Sequence, residues 1–154
     1  MINTDAIDNS AGVNMSDYEV NIKILLSSLQ LTGVIKSDKK RNVLLHKATN
    51  EVTELVLINN ISQHHLISMD SHRSIQQSYL IENTISTLIK DGDMNVHDEQ
   101  IPLSKERKDL YRQNLALPRP VIAKCQAYTK MKLKLQLSKS RLFSGLIYDQ
   151  IFYN

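Results

Sequence analysis

The sequence is poor in the residues that break regular structure, with four glycines and three prolines in 154 residues. Few breakers favour long regular elements over a loop-rich fold. Because the glycines are isolated from one another, neither a GxGxxG nor a GxxxxGK[ST] phosphate-binding loop can be built from them. We therefore expect no nucleotide-binding loop, no cofactor and no small-molecule substrate.

Cysteine and long apolar runs are also scarce. The single cysteine, Cys125, cannot close an internal disulfide, which favours a reducing compartment. No apolar run reaches the 18 or so residues that a membrane span needs, and the first residues are polar and acidic, unlike a signal peptide. Cys125 lies in an apolar helical stretch, and no serine has the glycines of a nucleophile elbow around it. The sequence predicts a cytoplasmic protein that is not an enzyme.

The residues that are present show the period of helices. Ser16 and Glu19 have the spacing of a capping box, and the apolar residues that follow recur at helical spacing as far as Gly33, where a left-handed stop is expected. These apolar residues are Tyr18, Ile22, Leu25, Leu26 and Leu29. This pattern predicts a first helix that begins near Ser16.

Further polar caps predict a series of short helices after this one. The caps are Ser37, Thr49 or Asn50, Ser62, Asp70 or Ser71, and Ser104, the last of which opens a helix through Leu115. A stop is expected at Gly92, and Pro120 suits the first turn of a final helix. Residues 131–137 alternate strictly between apolar and polar, so they either continue this helix or form a short strand. The predicted fold is mainly α, a small multi-helix domain with a basic C-terminal extension.

Charge divides the chain into two parts of opposite sign. Residues 1–103 hold 8 Lys and Arg against 13 Asp and Glu, whereas residues 104–154 hold 11 against 3. We interpret the chain as a flexible leader (1–15), a helical region for dimerisation or partner binding (16–92), an acidic linker (93–103) and a basic helical segment with an apolar tail (104–154). Such asymmetry indicates that the basic segment meets a polyanion or an acidic surface.

The basic segment is the most informative functional feature of the sequence. Its cations could pair with phosphates while Tyr128 packs against a sugar or a base. The alternative is a solvated face that only keeps the protein soluble. The candidate nucleic-acid-binding residues are Lys124, Lys130, Lys132, Lys134, Lys139 and Arg141.

Three histidines and one aspartate form the most plausible set of metal ligands. His64, His65, Asp70 and His72 lie within nine residues. His64 and His65 point about 100° apart on a helix, and no HExxH motif or cysteine pair supports a tetrahedral site. We therefore predict exposed or capping histidines and no bound metal.

Several short stretches within about residues 16–89 carry a family resemblance. They are Glu19-Val20-Asn21-Ile22 with Leu25-Leu26, Asp38-Lys39, and Thr49 through Leu55 leading to Ile58, Gln63 and Leu66. In these stretches the helical N-terminal half resembles FlhD, the helical subunit family of the flagellar transcription activator, and its relatives in mobile elements. This resemblance implies an all-helical, dimerising subunit that joins a zinc-bearing partner on promoter DNA.

Two functional hypotheses follow. The first is a DNA-binding transcriptional regulator subunit that acts in a homo- or hetero-oligomer. The alternative is a small non-enzymatic adaptor or chaperone-like protein that binds a protein partner in a bacterial secretion or assembly complex. The predicted partner-binding residues are Leu25, Leu29, Ile147, Ile151 and Phe152.

Overall fold

A computed structural model describes residues 2–140 of the chain. These residues form the helices α1 (Asp5–Asp8), α2 (Ser10–Leu31), α3 (Asp38–Gln76), α4 (Ser78–Lys90), α5 (Ser104–Arg112) and α6 (Arg119–Lys139). No strand occurs within residues 2–140, and 131–137 continue α6. The predicted mainly α fold is confirmed, and the alternation in 131–137 did not indicate a strand.

The chain separates into two compact units, unit 1 (Met1–Leu66) and unit 2 (Ile67–Asn154). The division falls inside α3. The domain boundaries predicted at residues 15, 92 and 103 remain a prediction.

The first long helix begins earlier than its capping-box pattern indicated. The helix α2 starts at Ser10, preceded by Asn9 and the single turn of α1, so part of the predicted flexible leader is helical. Ser16 is therefore an interior residue and caps nothing. Glu19 accepts a hydrogen bond from Lys23, 2.5 Å away and one turn later, in place of the predicted capping contact. A pair at this spacing supports a helix that is already formed and does not start one.

The glycine stops are confirmed at both predicted positions. Gly33 follows α2 and Gly92 follows α4, with φ of +77° and +75°. After α2 the Ile35 amide donates to the Leu29 carbonyl at 3.0 Å, and after α4 the Met94 amide donates to the Leu88 carbonyl at 3.1 Å. Such bonds satisfy carbonyls that a helix end leaves unpaired, and they need a residue in the left-handed region, which glycine adopts without a steric penalty.

The series of short helices predicted after Ser37 is instead one helix of 39 residues, α3. Ser37 does act as a cap, since its Oγ accepts the Lys40 amide at 3.3 Å. Thr49 lies inside the helix and donates to the Leu45 carbonyl at 3.2 Å, and Thr53 donates to the Thr49 carbonyl at 2.9 Å. Hydroxyls that bond back one turn leave the helix intact. The predicted caps at Asn50, Ser62, Asp70 and Ser71 are also interior residues, because no glycine or proline interrupts α3.

In unit 1, α2 and the first part of α3 run antiparallel. Asn60 donates to Ser10 Oγ at 2.8 Å near one end of α2, and Gln30 donates to Asp38 at 2.9 Å near the other. The apolar residues buried here are Leu26, Ile35 and Val56. Burial of each such side chain contributes about 1.5–3 kcal/mol.

Unit 2 builds its core from the end of α3 together with α4, α5 and α6. The buried Ser74 accepts the Leu117 amide at 3.1 Å and donates to the Ser71 carbonyl at 2.7 Å, which joins the end of α3 to the residues before α6. Among the described residues of unit 2, the buried apolar ones are Ile67, Ile85, Leu88, Met94, Ile101, Leu117, Val121, Ile122, Ala123 and Cys125.

The starts of α5 and α6 follow the predictions in part. Pro120 lies in the first turn of α6, as predicted. Ser104 is the first residue of α5 and not its cap, because the Glu106 carboxylate accepts the Leu103 amide at 2.7 Å. The helix ends at Arg112 and not at Leu115, since Asn114 adopts a φ of +57° there.

None of the helices in residues 2–140 combines the length and the apolar character needed to cross a membrane.

We predict that Gly33→Ala lowers the free energy of unfolding by about 1 kcal/mol, because alanine must adopt the left-handed region. No atom lies within 4 Å of the added Cβ, so backbone strain alone is measured. Gly12→Ala is the control, since the added Cβ inside α2 meets only the end of the Asn9 side chain. Urea unfolding should show a loss for Gly33→Ala and none for Gly12→Ala, and equal effects would contradict this account.

Candidate functional site

The strongest polar cluster in unit 2 is an ion pair between α4 and α5. Arg107, which is 4% exposed, donates from Nε and Nη2 to the two carboxylate oxygens of Glu82 at 2.7 and 2.8 Å. Its Nη1 donates to the Pro102 carbonyl at 2.5 Å, and Tyr111 Oη donates to Glu82 at 2.9 Å. Two parallel, charge-assisted hydrogen bonds hold the guanidinium and the carboxylate strongly and in one relative orientation. The cluster joins α4, α5 and the chain before α5.

The electrostatics of this cluster follow from burial and pairing. Burial alone would raise the pKa of Glu82, but the hydrogen bonds from Arg107 and Tyr111 outweigh it, and the pKa is lowered. Burial, followed by the hydrogen bond to Glu82, raises the pKa of Tyr111 well above its usual value. Burial also raises the pKa of the neighbouring Cys125 to about 11. A thiol with such a pKa is protonated at neutral pH and is a poor nucleophile.

A second polar cluster joins α6 to the acidic residues between α4 and α5. Lys124, Tyr128 and Lys132 are spaced four residues apart, so they share one face of α6. Lys124 Nζ donates to the Glu99 carbonyl at 2.5 Å, and Tyr128 Oη donates to the Glu99 carboxylate at 2.5 Å. Lys132 donates to Asp91 and, at 2.6 Å, to Asp93.

The hydrogen bonds from Lys132 change the pKa values of this cluster in the direction expected for ion pairs. The bonds to Asp91 and Asp93 raise the pKa of Lys132, and the same contact lowers the pKa of Asp91. The hydrogen bond to Glu99 raises the pKa of Tyr128. The acidic segment that sequence analysis interpreted as a linker is therefore held against α6 by the residues predicted to bind nucleic acid.

The predicted nucleic-acid-binding residues are thus divided between two environments. Lys124 and Lys132 form ion pairs inside unit 2. Lys130, Lys134 and Lys139 are exposed on α6. Arg141 lies outside the described residues. The structure does not bring the five described residues together into one cationic surface.

The histidines singled out from the sequence do not come together with the aspartate. In unit 1, His64 Nδ1 lies 3.2 Å from Asn3 Nδ2, and its Nε2 lies 3.9 Å from Asp8. In unit 2, Asp70 accepts hydrogen bonds from Gln126 at 2.7 Å and from Arg73 at 3.0 Å. Within residues 2–140 no three His, Cys, Asp or Glu side chains are grouped so that they could hold a metal ion.

The predicted partner-binding residues can be placed only in part. Leu25 is exposed on α2, and Leu29 is half-buried. Ile147, Ile151 and Phe152 lie outside the described residues. A partner-binding role for Leu25 and Leu29 remains a prediction.

Comparison with known proteins connects the chain to an enzyme. The profile of the family described as bacterial NAD-glutamate dehydrogenase, catalytic domain, matches residues 1–70. The chain is similar to NAD-specific glutamate dehydrogenases. It is 37% identical to that of Mycobacterium tuberculosis over 141 residues, which is 92% of this chain and 9% of the relative. Identity is 36% to the enzymes of Halomonas elongata and Pseudomonas aeruginosa, over 90% of this chain and 9% and 8% of those proteins.

The chain therefore spans about a tenth of the length of the curated relatives that it matches. No solved structure matches it. Because the similarity extends over both units, it does not depend on one short motif.

These matches correct several predictions from the sequence. The resemblance to FlhD is wrong, and so are the DNA-binding regulator and the adaptor, because the relatives are dehydrogenases named for NAD and glutamate. The prediction of a non-enzymatic chain with DNA as a partner and no small-molecule substrate is wrong for the same reason. The physical basis of the error was the charge contrast, part of which the structure neutralises between α6 and the segment 91–99.

Sequence reasoning also missed the cluster at Arg107. Glu82 and Arg107 are 25 residues apart, and neither belongs to a recognisable motif. The available signal was weak: Arg107 and Tyr111 are one turn apart on α5 and so share a face. That spacing does not indicate which carboxylate they meet.

We predict that Arg107→Leu lowers the free energy of unfolding by about 3 kcal/mol, because it leaves the Glu82 carboxylate partly buried without its main partner. Arg112→Leu is the matched control on the same helix. Arg112 pairs with Asp109 at 3.0 Å, but its side chain is 77% exposed, so little loss is expected. Urea unfolding measures both, and a loss for Arg112→Leu as large as that for Arg107→Leu would contradict a dominant role for the buried pair.

The lowered pKa of Glu82 predicts a dependence of stability on pH. The stabilisation from this carboxylate is present above the pKa of an unfolded glutamate, about 4.3, and is lost as the pH falls through the lower folded pKa. Wild-type protein should therefore lose more unfolding free energy between pH 7 and pH 3 than Glu82→Gln does. Urea unfolding at both pH values tests this, since the other carboxylates contribute equally to the two proteins. Equal losses of unfolding free energy in the wild-type protein and in Glu82→Gln would contradict a stabilising role for the Glu82 carboxylate.

Proposed function

We propose that this chain is a segment of a bacterial NAD-specific glutamate dehydrogenase, and that the whole enzyme oxidises glutamate with NAD. The observation that supports this most is identity of 36–37% to three such enzymes over about nine-tenths of the chain. Because the relatives are about ten times longer, the segment contributes one part of the enzyme.

The contacts within unit 2 support a structural role for the segment in that enzyme. Arg107 uses its guanidinium to bind Glu82 and the Pro102 carbonyl, which fixes α5 against α4. Lys124 and Lys132 fix the residues between α4 and α5 to α6. A scaffold whose side chains are locked in this way can hold a neighbouring site within the narrow tolerance that catalysis requires.

The residues described here do not fit a dinucleotide site. In such sites glycines allow the backbone to approach the pyrophosphate at the start of a helix. In this chain Gly33 and Gly92 both lie just after a helix, where they close its C-terminal end. Gly12 lies in the first turn of α2, but it has none of the neighbouring glycines that such a loop requires. We therefore assign no step of hydride transfer to these residues.

We also propose a cytoplasmic location for the enzyme. A buried, protonated Cys125 is compatible with a reducing compartment.

The proposal is tested by replacing the 141-residue match in the Mycobacterium tuberculosis enzyme with this chain. We expect the chimera to reduce NAD with glutamate, measured by absorbance at 340 nm, with kcat/KM within about tenfold of the parent, which is about 1.4 kcal/mol. The enzyme lacking the segment should be inactive. Within the chimera, Arg107→Leu should reduce activity and Arg112→Leu should not.

A soluble chimera with no more activity than the enzyme lacking the segment would refute the proposed function. Equal activity with and without the segment would refute its structural role.

A further inference from the structure

The helix α2 carries an apolar stripe on the face turned away from its own hairpin. Val13, Val20, Ile24 and Leu31 are each more than half exposed. Their spacing of seven, four and seven residues places them within about 40° of one another on a helix of 3.6 residues per turn. They therefore form one line along most of the helix, which we call the outer stripe and which Asp17 interrupts between Val13 and Val20.

The residues that face α3 lie on the opposite side of α2. Leu26 is buried, and Ile22 and Leu29 are half-buried. Packing against α3 explains why the inner face of α2 is apolar, but it does not explain the apolar outer stripe. A helix that is apolar on both sides is typical of one that is covered on both sides.

Charge on α2 is too sparse for a solvated helix. Its 22 residues include three charged side chains, and two of these, Glu19 and Lys23, pair with each other at 2.5 Å. The third, Asp17, is exposed and lies about 20° from Ile24 around the helix, on the same side as the stripe. Removing an apolar surface with few charges from water costs little free energy, because few ions lose their hydration. The stripe suits contact with a mainly apolar surface that leaves Asp17 in water or pairs its carboxylate.

We propose that the outer stripe of α2 docks on the remainder of the glutamate dehydrogenase, the polypeptide that the relatives carry outside the segment matched here. This inference rests on the proposed function. The matched segment is 8–9% of each relative, so the rest of the enzyme offers far more surface than unit 1 itself.

The small size of the outer stripe favours contact with the rest of the same enzyme over contact with a second copy of the chain. A stable interface between separate molecules uses about 20–30 residues a side, so a second copy would need many contacts outside the four side chains of the stripe. Contact within one longer polypeptide does not carry the full cost of association, because the linked partner has a high effective concentration. A narrow stripe is therefore sufficient to hold α2 against its own enzyme.

The test compares maleimide labelling of Ile24→Cys in the isolated chain and in the Mycobacterium tuberculosis chimera, followed by mass spectrometry of the peptides. We expect labelling at least tenfold slower in the chimera. Asn21→Cys is the matched control, because Asn21 is exposed at the same level of α2 but about 60° to one side of Ile24, and its labelling should change by less than about threefold. The native Cys125 is buried and reports folding in both proteins, since it should label slowly in each.

The outcomes separate this inference from the proposed function. Protection of Ile24→Cys in an inactive chimera would support docking and count against the function. Equal labelling in the isolated chain and in an active chimera would overturn docking and leave the function in place. Protection in the isolated chain that grows with its concentration would show a second copy on the stripe and would also overturn the inference.

Discussion

The buried pair of Arg107 and Glu82 is the interaction on which unit 2 most depends. A guanidinium taken out of water is costly unless its donors are used, and here they bind both Glu82 oxygens and the Pro102 carbonyl. Tyr111 adds a further donor to the same carboxylate. The position of α5 against α4 is therefore fixed by geometry and charge together, and the apolar core forms around contacts that allow little displacement.

Internal ion pairing also explains the unusual charge distribution along the chain. The basic side chains of α6 and the acidic residues before α5 appear in the sequence as separate blocks, which is the pattern of a polyanion-binding segment. In the structure Lys132 meets Asp91 and Asp93, and Lys124 meets Glu99. Part of the basic block is thus used to hold an otherwise irregular stretch of chain. The asymmetry is partly a consequence of internal pairing and does not require an external polyanion.

The exposed apolar residues of α2 lead to a complementary conclusion about unit 1. The hairpin of α2 and α3 buries Leu26, Ile35 and Val56, and it leaves the outer stripe of α2 open. Other helices of the described residues also expose apolar side chains, so the outer stripe is one part of the apolar surface that this segment leaves uncovered. If the chain is one segment of a much longer glutamate dehydrogenase, as proposed, the rest of that polypeptide is available to cover the stripe.

The sequence by itself determined the features that depend on a few neighbouring residues. The mainly α class, the left-handed stops at Gly33 and Gly92, and Pro120 in the first turn of α6 were all predictable, because each depends on local backbone preferences. Only the tertiary structure decided that α3 runs unbroken past Thr49, that Arg107 meets Glu82, and that Lys132 meets an acid 41 residues away. Those outcomes depend on which helices pack together, and a polar residue has the same local signal whether it caps a helix, pairs across a core or remains in water.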